Sequence, residues 1–282
     1  MVADVSSFSP SAGKPRDVVA DWRAAGLPID VRSFDPLTRG DLSLVHDPEF
    51  VSGMLAGQLI NGFGNRDPRV AAACLHTTGA MTAAAREAIR NRRVAVAPVS
   101  GFHHAGHSWC GGYCTFNGLM AAAALLRASG LARRVGILDL DQHYGNGTQD
   151  IIDTLGARWV RHYTAGRYDF QPSGADAFLR KLPEVLARFS DCDVLLYQAG
   201  ADPHVDDPLG GWMTTAQLMR RDRIVFREAL QMGLPVAWNL AGGYQRHADG
   251  GIGPVLAIHR NTMRACTDAY YCARPATADA TV

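Results

Sequence analysis

Three things are scarce in this chain of 282 residues: net charge, long apolar runs and paired cysteines. The formal net charge is +1, and no block of like charges stands along the sequence. Binding that rests on phosphate neutralisation needs clustered cations, so this balance argues against nucleic acid or anionic membrane as a main partner. No apolar stretch reaches the roughly 20 residues that span a bilayer, which argues against an integral membrane protein. Residues 1–15 carry Ser, Pro and Gly but no apolar core of a secretory signal, so a cytoplasmic protein is expected. The cysteines are Cys74, Cys110, Cys114, Cys192, Cys266 and Cys272. Only Cys110 and Cys114 are close, and no second pair completes a four-thiolate zinc set. A reducing compartment is the default.

What the chain does have is alternation. Apolar runs at Val94–Val99, Val135–Leu140, Arg158–Tyr163, Val194–Gln198 and Val236–Leu240 read as strands. Between and after them, 117–128, 146–155, 175–189, 214–232 and 253–266 carry helical patterns. Strand–helix alternation predicts βαβ units, hence an α/β fold. The expectation is a single domain over residues 1–282, with a mostly parallel central sheet and helices on both faces. Residues 1–15 are expected as an extended arm and 273–282 as a disordered tail.

The richest segment is Ile137-Leu138-Asp139-Leu140-Asp141-Gln142-His143. Alternate residues of an extended chain project to one side, so Asp139, Asp141 and His143 can converge. Oxygen and imidazole donors on one edge suit zinc or a similar divalent ion. Alone, such a run is more often an aspartate-rich turn with a solvated histidine. A second strand end, Gly200-Ala201-Asp202-Pro203-His204, adds another carboxylate and favours a metal site. Open parallel sheets bind ligands beyond the carboxyl ends of their strands. His103-His104 and Gly242-Gly243-Tyr244 also fall at such ends, so four distant clusters share one rim.

Five segments occur together in an order that resembles the zinc-dependent histone deacetylase and acetylpolyamine amidohydrolase superfamily. They are Gly101-Phe102-His103-His104-Ala105, Gly111 to Asn117, Ile137 to Gln149, Ala199-Gly200-Ala201-Asp202-Pro203-His204 through Asp207-Pro208-Leu209-Gly210-Gly211, and Leu240-Ala241-Gly242-Gly243-Tyr244. Leu42 to Leu55 resembles the N-terminal helical region of that family. Asn146 and the Asp207–Gly211 ending are similar to its class II branch and bacterial relatives. The resemblance implies an arginase/deacetylase-like fold and a hydrolase acting on carbon–nitrogen bonds of linear amides. It implies zinc on Asp141, His143 and Asp202, and a potassium ion on Asp139 and the main-chain carbonyls of Asp141 and His143. His103 would pair with Asp139 and His104 with Asn146, with His104 favoured as general base. Tyr244 would donate to the developing oxyanion, while Gly112 and Tyr113 would line a narrow substrate channel. The implied substrate is a small acylated amine or an acyl-lysine peptide; the oligomeric state is not indicated.

Two departures stand out. Phe102 separates Gly101 from the tandem histidines, which is expected to reshape the pocket wall. The acidic loop residue that many relatives use to orient the substrate has no clear equivalent, and Asn65 stands nearest its place. Two other functions compete. A dimanganese ureohydrolase of the arginase type needs bridging carboxylates two residues after His143 and Asp202, where Gly145 and His204 stand. An inactive acyl-lysine-binding module would be expected to lack a ligand or the tyrosine, and all are present. His204, His107, Cys110 and Cys114 are expected to serve loop packing. His162 either faces the site or ends its strand. His46, His76, His247 and His259 have no constellation around them.

Overall fold

Five apolar segments pair side by side into one sheet: β1 Val94–Ala97, β2 Val135–Asp139, β3 Val160–Thr164, β4 Val194–Gly200 and β5 Val236–Ala241. The structure, a computed structural model, describes residues 7–271. The expected tail 273–282 and the first six residues of the expected arm therefore lie outside the described residues. Strand order is β1-β5-β4-β2-β3, and every neighbouring pair is parallel.

The inner strands β2, β4 and β5 are buried at every position, as a parallel sheet covered on both faces requires. Alternation along β4 sends Leu195, Tyr197 and Ala199 into one core cluster and Val194 and Leu196 into the other. The helices, in chain order, are α1 Lys14–Ala24, α2 Arg39–Leu42, α3 Pro48–Leu55, α4 Pro68–Asn91, α5 Gly118–Ala128, α6 Asn146–Thr154, α7 Ala175–Ala187, α8 Thr215–Gln231 and α9 Gly253–Tyr270. The cluster with Leu195 is closed by α1, α7, α8 and α9, and the other by α2 to α6. Helices thus cover both faces, as the alternating pattern predicts.

The helices depart from expectation most at three places. Lys14 and Pro15 belong to α1 rather than to an extended arm; proline in a first turn has no amide to leave unpaired. The longest helix, α4, has no counterpart among the expected elements, because its alanines and threonines give little contrast between faces. Its start is nonetheless written locally, with Asp67 accepting the Arg69 amide just before Pro68. Finally, α9 continues past Cys266 to Tyr270, which is buried against Phe226.

Candidate active site

The loops after β2 and β4 meet first. Asp141 N–H donates to Asp139 Oδ1 at 3.1 Å, and His143 N–H donates to Asp141 Oδ1 at 2.9 Å. These two aspartate turns curl the chain as it leaves the sheet. Across the gap, Gln142 N–H donates to Asp202 Oδ1 at 3.3 Å. Gly200 permits the approach, since a Cβ there would stand 2.5 Å from the Asp141 Cα. Asp141, His143 and Asp202 consequently place one donor atom each within 4.8 Å of one another, the single such group among the described residues. Asp139 is not part of it. The first aspartate turn rotates Asp139 away, and its Oδ2 meets His103 Nδ1 at 2.8 Å. Simple alternation, which converges Asp139 with Asp141 and His143, fails at that turn.

The triad suits a cation. Nδ1 of His143 lies 3.2 Å from Asp141 Oδ1 and 3.0 Å from Asp202 Oδ2, with both carboxylates buried. Burial, then the charge of Asp141, pushes Asp202 up to about 7. Asp141 itself is held well below the carboxylate range, because His103 and His143 outweigh its burial. Two buried carboxylates aimed at one imidazole nitrogen form an oxygen–nitrogen donor set that a divalent ion balances. Three protein donors also match the number found in catalytic sites that keep a position open.

The tandem histidines border the triad. The His103 carbonyl accepts from Gly147 N–H at 2.8 Å and Thr148 N–H at 3.1 Å, in the first turn of α6. Gly147 is needed there, because a Cβ would stand 2.5 Å from the Ala105 carbonyl carbon. Asn117 caps α5, and its Nδ2 donates to the Ala105 carbonyl and to Thr148 Oγ1, both at 3.0 Å. The two imidazole centroids lie 4.0 Å apart, and that of His104 is 5.9 Å from His143. Burial opposes charge on His103, yet Asp139 and Asp141 raise it to about 9. His104 meets only the Asn146 amide oxygen, at 2.7 Å; burial and the neighbouring His103 lower it to about 4.

Tyr244 follows a turn built from Gly242 (φ 47°) and Gly243 (φ 87°). A Cβ on Gly242 would stand 2.2 Å from the Asp202 carboxyl, so the turn lies directly on that side chain. The Tyr244 amide donates to Asp207 Oδ2 at 2.8 Å. Its ring lies 5.9 Å from Tyr113 and stacks on Phe8 at 5.7 Å. Gly112 presses against the ring of His104, where a Cβ would stand 2.4 Å away. Beneath the turn, Lys14 donates through Nζ to the Gly242 carbonyl at 2.6 Å. Burial draws this lysine down to about 8, against the pull of Asp202 and Asp141.

Other expected residues fall elsewhere. Phe102 is 2% exposed at φ 99°, with its ring over Gly118; it borders an apolar cavity of about 550 Å³ with Tyr113 and Cys114. His162 bonds Gln149 at 3.1 Å and stands outside the triad. His204 is spent on Thr215 and the Asp206 amide, and His107 on the Val45 carbonyl. Asn65 accepts from Asn61 and Asp67 within its own turn. Phe8 and Lys14 escape sequence reasoning. Their one signal is scarcity: Lys14 is one of two lysines in the chain, the other being Lys181.

Known proteins resemble this chain in sequence and in fold. The family model "Histone deacetylase domain" matches residues 14–157 and 171–251. An uncharacterized protein of Picosynechococcus is 31% identical, covering 82% of this chain and 83% of that protein. Acetylpolyamine amidohydrolase 1 of Pseudomonas aeruginosa is 31% identical over 52% of this chain, which spans 50% of that relative. The acetylpolyamine aminohydrolase of Burkholderia pseudomallei shares the fold, with a TM-score of 0.69, 20% identity, and coverage of 91% of this chain and 90% of that one. Among the described residues, no helix is long and apolar enough to cross a membrane.

Proposed function

Since this chain belongs to the histone deacetylase family, we propose that it is a zinc-dependent amidohydrolase removing acetyl or another acyl group from an amine. One arrangement carries the reading: three metal-type donors within 4.8 Å, bordered by two histidines of which one faces a carboxylate and the other an amide oxygen. Asp141, His143 and Asp202 would hold the zinc. When bound, it supplies a Lewis acid that polarises the amide carbonyl and acidifies the attacking water.

The chain's own residues divide the remaining work. His104 is the imidazole without a charged partner, so it is the free base that takes the proton from water and returns it to the leaving amine. His103, kept protonated by Asp139, supplies a fixed positive charge beside the developing negative one. Asn146 and Asp139 set the orientation of the two rings. The Tyr244 hydroxyl, held far above its ordinary pKa by burial, keeps its proton and donates it in a hydrogen bond to the oxyanion. Gly112 and Tyr113 form one wall for the alkyl chain of a small acylated amine or acyl-lysine peptide. Potassium on Asp139 and the carbonyls of Asp141 and His143, and a cytoplasmic location, belong to the same proposal.

The reading is tested with zinc-reconstituted protein on acetyl-lysine peptides, acetylpolyamines and longer acyl-lysines, with a hydroxamate as inhibitor. Tyr244→Phe should retain its metal while turnover falls by about 10²–10³-fold, the usual effect of losing one oxyanion donor. Near wild-type turnover at unchanged metal content removes Tyr244 from the reaction. Failure of the zinc-loaded protein to hydrolyse any of these substrates sinks the activity.

A further inference from the structure

The two carboxylates of the triad leave from neighbouring strands, β2 and β4. Their regular ladder runs only as far as the Asp139–Gln198 pair. Past it, the strand ends are joined by a side chain from another layer. Thr214 caps α8 by accepting the Gln217 amide, which sets the register of the helix and brings Arg221 under the sheet end. Nη1 of Arg221 donates to the Leu140 carbonyl at 3.1 Å and to the Gly200 carbonyl at 2.8 Å. Leu140 immediately precedes Asp141, and Gly200 stands two residues before Asp202.

Arg221 is 1% exposed, an expensive place for a cation that Nε and Nη1 offset by pairing, while Nη2 finds no partner among the described residues. Nε donates to Asp222 at 2.8 Å. Asp222 in turn accepts from the Tyr197 hydroxyl and from Thr262 Oγ1, the latter at 2.6 Å. The guanidinium therefore links an anchored carboxylate on one side to both ligand-bearing backbones on the other. A planar fork does this; a lysine ammonium is a point charge that cannot reproduce the arrangement.

We propose that Arg221 is a positioning residue that sets the span between Asp141 and Asp202, and through it the affinity of the site for its divalent ion. This rests on the reading of Asp141, His143 and Asp202 as ligands, but not on any substrate.

The test is zinc affinity, measured against a competing chelator, in Arg221→Lys and in Thr262→Val. Thr262→Val weakens the same buried network without touching either ligand loop. Arg221→Lys should bind zinc about 10–100-fold more weakly, the usual effect of losing a partner that orients metal ligands. Thr262→Val should keep wild-type affinity while losing thermal stability. At saturating zinc, Arg221→Lys should lose kcat with little change in KM. Wild-type affinity in folded Arg221→Lys overturns the proposal. So does a loss of affinity that follows unfolding stability equally in both variants. Should Arg221→Lys not fold, Arg221→Gln repeats the test with one amide donor kept; if neither folds, Arg221 is a scaffold residue and the proposal fails. Wild-type protein that binds no zinc overturns the ligand reading itself, whereas zinc binding without hydrolysis overturns only the activity.

Discussion

On one side of the tandem histidines stands β2, which presents the carboxylate of Asp139; on the other stands the start of α6, which presents the amide of Asn146. The two rings are consecutive in sequence and 4.0 Å apart, yet one is pushed up to about 9 and the other down to about 4. Burial acts against charge on both. The partner decides: an ionised acceptor outweighs burial, and a neutral acceptor does not. Lys14 extends the comparison, because its partner is also neutral, a main-chain carbonyl, and it too is drawn down.

The comparison is broken most severely by Asp139→Asn. His103 loses the charge that keeps its proton, and kcat should fall by about 10²–10³-fold, the range of a lost electrostatic stabiliser. Metal content, read by elemental analysis, should stay unchanged; equal turnover would mean that Asp139 has no part in the reaction. Asn146→Asp makes the two sides alike. His104 then gains an ionised acceptor, its pKa rises, and the acid limb of kcat/KM should move up by about 1–3 pH units. An unmoved limb would show that His104 is not the base.

The smallest effect is read on stability rather than rate. Below pH 8 the folded protein must hold Lys14 as a buried ammonium. Between about 8 and 10.5 it has released that proton while the unfolded chain retains it. Stability relative to Lys14→Met should therefore rise with pH across this window, by roughly 3 kcal/mol in all. Urea unfolding of both proteins at pH 7.5 and 10 measures the difference. A difference independent of pH would place the ordinary lysine value at this site.

Much of this architecture is legible in the amino-acid sequence. The strands of the sheet stand out because buried parallel strands are short apolar runs, and the polar clusters sit at their ends. The donor run after β2 is readable from its local motif, whereas the partners of the two histidines come only with the family resemblance. The helix α4 is not, since alanine and threonine blur its faces. Nor is the exclusion of Asp139 from the triad, because one aspartate turn defeats the alternation rule. Arg221 looks like any solvated arginine on an amphipathic helix, and only the packing of α8 shows otherwise. Phe8 and Lys14 lie more than 200 positions from the turn they support, a separation no local pattern bridges.

That last contact bears on how the protein is handled. A fusion partner joined close to Phe8, or trimming of the chain to begin after Lys14, would disturb or remove the aromatic cover of Tyr244 and the ammonium that supports the Gly242 turn. Because the Gly242 turn also lies on the Asp202 carboxylate, such a preparation would report neither the metal affinity nor the rate of the intact chain.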